Sequence, residues 1–354
     1  MSGRISVRAL EPSEYDAWGR LVAGSPDGSV YATAGYLDIL VRAAGGRFRI
    51  LGLYRGDELV GGLPLYEQPT RFGVRVSPRL LLHYLGPVLR RFPSRYPSQQ
   101  TAREIEALGA LATAVAELGY AKVILKQRHT LMDVRPFIVR GWRARPSYSY
   151  LVPLDDLAGQ WSQVEQNLRR LVDRCTDQGI LLTDDDDFAS FLRLHELTMD
   201  HHGTGLYLPE PAFRQWFQAL RAAGFCRLFH ARLPDGQPIA AQLVLLGPHP
   251  VSHTVSAGMD PTHRQLGASA FLRWRVFERL AALGYAANDL TDAALNPVTH
   301  FKSQLGGALV LNPVVETAGS ATWRAGTSLE RLYRGARGRA GHLVRRLTRR
   351  QSGR

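Results

Sequence analysis

The nonapeptide "THFKSQLGG", residues 299–307, sets Lys302 between an aromatic residue and a pair of glycines. Lysine is scarce in this chain: of 44 basic residues only Lys122, Lys126 and Lys302 are lysine, and the other 41 are arginine. A chain that writes nearly every cation as a planar guanidinium, yet keeps a compact ammonium here, points to a need for a point charge. An ordinary surface cation is the plainer reading of the same residue. Just upstream, "NDLTDAALNP" brings Asp289 and Asp292 to the end of a buried-strand pattern. Acyl transfer to an amine requires the attacking nitrogen to lose a proton and the tetrahedral oxyanion to be stabilised, and an ammonium beside the reacting ester meets the second need. The G-x-S-x-G pattern of nucleophilic hydrolases is absent. Direct attack by the acceptor is therefore simpler than a covalent route.

Two further segments could hold phosphate. Arg169, Arg170 and Arg174 fall within a turn and a half of the helical stretch "WSQVEQNLRRLVDRCTDQG", where they either grip phosphate or form a solvated face. Arg264, Gly267 and Ser269 stand in "HRQLGAS" immediately before a long helical pattern. A glycine turn at a helix start exposes N–H groups to a pyrophosphate. The segment also approximates the R/Q-x-x-G-x-G/A loop of coenzyme A-dependent acyltransferases, with Ser269 where the pattern wants Gly or Ala.

The elements that must position these residues occur twice. "FRILGLYRGDELVGGLPLYEQ" (48–68) parallels "CRLFHARLPDGQPIAAQLVLL" (226–246), and both read as antiparallel hairpins. Each follows an aromatic-bearing helix. The tetrapeptide "LGYA" recurs at 118–121 and 283–286, each time closing a helix and opening an apolar run, so "AKVILKQ" and "ANDLTDA" hold equivalent places. The fold class expected is α/β, with mixed sheets covered by helices in two related units. The boundary is expected near Pro146 to Trp161, giving domains 1–150 and 151–318.

The net charge of +13 is largely a tail: Arg324 to Arg354 holds ten arginines and Glu330, or +9, leaving +4 for residues 1–323. Within residues 319–354 the apolar residues recur at helical spacing, which predicts a basic amphipathic helix. Such a helix lies on an anionic membrane surface, follows a phosphate backbone, or packs back on the body. Cys175 and Cys226 have no metal-ligand spacing, and adjacent His201 and His202 point apart on a helix, so no metal is expected. No segment approaches the ~18 apolar residues of a membrane span, and the expected location is cytoplasmic.

These pieces, in this order, resemble the Fem family of aminoacyl-tRNA-dependent transferases, which carries two GNAT-like domains in tandem. The likeness runs from about residue 5 to 316 and is most specific in the arginine helix, "TMDHHG", "DGQPIAA", and "NDL" followed by "FKSQLGG". It implies that Lys302 serves the aminoacyl end of the tRNA, that Phe301, Asp289, Asp292, His201 and Tyr207 bind substrate, and that no cofactor is needed beyond the charged tRNA. Members acting on nucleotide-linked cell-wall precursors carry a lysine that would fall near Asp38 and an arginine near His201. Their absence turns the expectation toward a small amine or hydroxylamine acceptor, as in antibiotic assembly, beside a cell-wall precursor. Two other classes remain: a coenzyme A ester-dependent N-acyltransferase of polysaccharide or lipid, and a non-enzymatic scaffold with a binding tail.

Overall fold

The computed structural model describes residues 4–79, 81–202 and 205–327. In chain order the strands are β1 (Ile5–Ala9), β2 (Arg47–Arg55), β3 (Glu58–Thr70), β4 (Gly73–Val76), β5 (Val88–Leu89), β6 (Lys122–Lys126), β7 (Arg143–Arg145), β8 (Tyr148–Pro153), β9 (Leu181–Asp184), β10 (Cys226–Arg232), β11 (Pro238–Leu245), β12 (Val251–Met259), β13 (Ala287–Asp289), β14 (Ala308–Leu311) and β15 (Val314–Glu316). Among the described residues they form two mixed sheets. The first has the order β1-β2-β3-β4-β6-β15-β7, with β5 paired to β3; the second has the order β14-β8-β13-β12-β11-β10-β9.

The internal repeat is visible in both sheets. The two hairpins are β2–β3 and β10–β11, turning at Gly56 (φ 61°) and Gly236 (φ 90°), a left-handed backbone that glycine adopts without Cβ strain. The two "LGYA" glycines, Gly119 (φ 64°) and Gly284 (φ 86°), stop the helices Pro97–Glu117 and Ala268–Ala282. Each helix returns the chain to a parallel strand, joining β4 to β6 and β12 to β13, and every other strand pair described is antiparallel. Thus each half has one parallel junction, reached by one long helix.

The arginine helix differs from its expectation as a single element. It is two helices, Leu157–Gln163 and Gln166–Asp177, broken where Val164 and Glu165 are extended. The break frees the Glu165 N–H to bond the carbonyl of Gln304 (3.0 Å), while the Gln304 side chain returns a bond to the Glu165 carboxylate (2.7 Å). The turn after Lys302 is thereby fastened to the arginine helix.

One apolar core runs through both halves: Tyr36, Leu37, Leu63 and Leu111 belong to the same cluster as Phe191, Phe213, Trp216 and Leu243. The equivalent helices Ala34–Ala44 and Glu210–Ala222 pack on each other at its centre. A second core, with Phe271, Phe277 and Leu168, lies on the opposite face of the second sheet under the helices Gln166–Asp177 and Ala268–Ala282. β8, which spans residue 150, lies in the second sheet, while β15, inside the span 151–318, crosses back to the first. Residues 321–327 are helical, and the remainder of the expected basic helix lies outside the described residues. No described helix is long and apolar enough to cross a membrane.

Candidate active site

Lys302 stands on the short helix Pro297–Ser303, which Asn296 caps by accepting the Thr299 N–H (2.9 Å) and Pro297 opens. Its ammonium donates to the carbonyls of Thr291 (3.0 Å) and Asp292 (2.6 Å). One of its three N–H groups is left for a ligand. Burial, then the nearby Arg273 guanidinium, lowers the Lys302 pKa to about 8, with Asp292 opposing the shift. At neutral pH the side chain keeps its proton but releases it more readily than an ordinary lysine.

The carbonyls that hold Lys302 belong to a constrained turn. Thr291 has φ 49°, unusual for a β-branched residue, and is pinned by its N–H to Asp289 Oδ1 (2.8 Å) and its hydroxyl to the Thr254 carbonyl (2.9 Å). Asp289 is wholly buried at the end of β13 and takes a further bond from the Tyr84 hydroxyl (2.6 Å). Tyr84 in turn lies beside Ser149 Oγ (3.1 Å). Among the described residues the only other non-glycine with positive φ is Leu81 (φ 69°), whose carbonyl accepts from Tyr36. Both strained residues line one cavity. Strain persists only where surrounding contacts over-determine it, and it concentrates at functional sites.

That cavity, about 550 Å³, lies between the halves, and Lys302, Asp292 and Tyr207 share its lining with Tyr31, His83 and Lys126. Lys126 ends β6 as Asp289 ends β13, so the two equivalent strands deliver their last residues to the same region. Its ammonium meets His83 Nε2 at 2.9 Å, and the same nitrogen accepts the Asp292 N–H (3.2 Å). Accepting two donors assigns the His83 proton to Nδ1. Burial, then the neighbouring Lys126 charge, holds His83 well below the usual histidine range, so it is neutral. Burial also lowers Lys126 to about 8. Two of the chain's three lysines therefore face one cavity.

Sequence reasoning counted Lys126 and matched its strand to that of Asp289, but did not join it to Lys302. It passed over His83, Tyr84, Tyr31 and Arg273, which carry no local motif. Arg273 is 9 % exposed on the helix Ala268–Ala282, and its Nη1 has no hydrogen-bond partner.

Of the other expected residues, Tyr207 packs on His195 (5.0 Å between ring centroids) and lines the cavity. Phe301 packs against the second core. His201 lies near the end of the helix Phe188–His202, and its side chain lies outside the described residues. Arg169, Arg170 and Arg174, on the helix Gln166–Asp177, and Arg264, Gly267 and Ser269, at the start of the long helix, do not line the cavity, and the two segments pack on each other. Arg174 reaches the Gln265 carbonyl (3.4 Å), and Gly267 packs so closely on Leu171 that a Cβ would fall 2.6 Å from the leucine Cβ. Gly267 takes φ 87° and opens the long helix, while the Ser269 hydroxyl is spent on Met259 Sδ (3.1 Å).

Residues 162–303 match the Acetyltransferase (GNAT) domain family. No curated protein matches the chain in sequence. Among solved structures, FemX superposes with TM-score 0.69 at 13% identity, covering 88% of this chain and 96% of its own. The C-terminal domain of a putative lysylphosphatidylglycerol synthetase from Agrobacterium fabrum follows with TM-score 0.56, 14% identity and coverage of 89% and 95%. A tandem GNAT protein from the clavulanic acid biosynthesis pathway gives TM-score 0.52, 15% identity and coverage of 89% and 98%. The chain carries two GNAT-type halves in tandem, in the arrangement of FemX.

Proposed function

We propose that the protein moves an aminoacyl group from aminoacyl-tRNA to an amine or hydroxyl of a small acceptor or cell-wall precursor. The observation that carries the reading is Lys302, a part-buried ammonium with one unused donor, held by a strained turn at the cavity between the halves. The acceptor attacks the ester carbonyl, the new C–N or C–O bond forms, and the ester C–O bond breaks. The terminal ribose hydroxyl leaves with the proton that the nucleophile gives up. Lys302 donates its remaining N–H to the oxyanion as charge develops, which lowers the barrier more than it tightens ground-state binding. The Asp292 carboxylate, exposed at the same lining, suits an attacking ammonium before it loses its proton. The architecture shared with FemX and a lysylphosphatidylglycerol synthetase domain supports this donor class. The arginines around residues 169–174 and 264 would meet the tRNA backbone, in the cytoplasm where charged tRNA is found.

A second reading, transfer from a coenzyme A thioester, is favoured by the acetyltransferase match and by the left-handed Gly267 turn, which opens a helix as a pyrophosphate loop does. Incubating the purified chain with mixed charged tRNAs and an amine panel separates the two. Deacylation that requires both tRNA and amine, with acetyl-CoA left intact, supports the first; consumption of acetyl-CoA alone supports the second.

A further inference from the structure

Elsewhere in this chain many cations find acids. Arg91 takes Asp27 and Glu104, Arg232 takes Asp185 and Asp187, and Arg47 and Arg49 share Glu67. The cavity between the halves breaks this habit. Arg75, Arg79, Lys126, Arg145 and Lys302 all line it, against one carboxylate, Asp292. Among the described residues none of the five is in an ion pair.

The strand register explains the concentration. Val314 of β15 pairs with Lys126 on one side and Arg145 on the other, so side chains from three neighbouring strands rise on one face. Arg75 of β4 pairs with Lys122, two pairs of residues along the same face of β6 from Lys126. The acid on that face, Glu316, is taken by Lys122 (3.0 Å), which leaves Lys126, Arg145 and Arg75 without one. Arg75 Nε is buried and bonds nothing. The Tyr31 hydroxyl, on a residue with no exposed surface, lines the same cavity and also lacks a partner. A lysine only 8 % exposed with no carboxylate, a buried guanidinium nitrogen and a buried phenol without an acceptor are costly unless an anion fills the space.

We infer that this cavity is an oxyanion subsite, in which Arg75, Lys126, Arg145 and the Tyr31 hydroxyl take a phosphate or carboxylate carried by the acceptor. That it is the acceptor's anion rests on the proposed transfer; that the cavity takes an anion does not. Guanidinium forks at Arg75 and Arg145 suit two-oxygen groups, with Lys126 as a central point charge. These residues are distinct from the positions near Asp38 and His201, where members acting on nucleotide-linked precursors carry a lysine and an arginine. The acceptor would then be bifunctional, with a nucleophile near Lys302 and Asp292 and an oxyanion toward β6, β15 and β7.

The test is isothermal titration of the full chain with pyrophosphate and, separately, with glutarate, at low ionic strength where screening is weak. No tRNA or acyl donor is present, so failure of the transfer reading leaves the result untouched. Saturable binding is expected, weakened at least tenfold in Arg145→Gln, whose exposed edge position spares the fold, and in Lys126→Met. Binding of pyrophosphate alone identifies a phosphate, of glutarate alone a carboxylate, and either supports the subsite. No binding to the wild-type chain, or loss confined to Arg264→Gln with Arg145→Gln and Lys126→Met unaffected, would overturn it.

Discussion

Tyr84, in the loop that follows β4, and Asp289, at the end of β13, share a 2.6 Å hydrogen bond across the junction of the two halves, with both side chains buried. Asp289 also holds the Thr291 N–H, and Thr291 holds Lys302. A single carboxylate therefore ties the assembly of the halves to the placement of the ammonium.

Asp289→Ala orphans the Thr291 amide and leaves the Tyr84 hydroxyl only Ser149 Oγ. The expected loss of unfolding free energy is about 1–3 kcal/mol, from one buried amide left unbonded and one buried hydrogen bond removed. Asp289→Asn keeps an acceptor oxygen and should lose less. Urea denaturation of the three proteins checks the order, and equal stability of wild type and alanine variant would contradict it.

Lys302 carries its proton at a cost to the folded state, because its folded pKa of about 8 lies below the ordinary lysine value. The cost is full below pH 8 and is relieved as pH rises through 8 toward ~10.5, where the folded chain has released the proton and the unfolded chain still binds it. Lys302→Met should therefore be more stable than wild type at pH 7, on the order of 1–3 kcal/mol before the lost hydrogen bonds are counted, with the advantage shrinking by pH 10. Denaturant midpoints at the two pH values decide; an advantage that grows with pH has the wrong sign.

Gly267→Ala places a Cβ 2.6 Å from that of Leu171 on a backbone with φ 87°. Steric overlap and left-handed strain together should lower stability by roughly 2–4 kcal/mol. A melting temperature within a degree of wild type would show that the Gln166–Asp177 helix can shift away.

Residues 1–146 alone should not fold. β15, from residues 314–316, fills the place between β6 and β7, and the first core draws Phe191, Phe213 and Trp216 from the second half. A fragment with dispersed near-ultraviolet dichroism and a cooperative melt would contradict this.

The hairpins, the two "LGYA" helix stops and the mixed sheets were legible in the sequence because hydrophobic period and glycine placement act locally. The return of β15 was not, since its three residues carry no pattern and its position depends on the gap between β6 and β7. Lys302 stood out by its rarity, and so did Lys126. Their convergence was hidden because it needs both halves folded together, with two strand ends meeting across some 160 residues of intervening chain. His83 is a single polar residue in an apolar run and Tyr31 one aromatic among several, so neither was set apart by its local sequence.

The central claim is that Lys302 acts in the transition state. Single-turnover transfer from charged tRNA, measured beside tRNA affinity, tests it in Lys302→Ala and Lys302→Arg. The alanine variant should lose roughly a hundredfold or more in rate, the scale of a single oxyanion donor, with tRNA binding almost unchanged. The arginine variant keeps the charge but not the compact geometry and should also be slow. Transfer at the wild-type rate by Lys302→Ala would contradict the account.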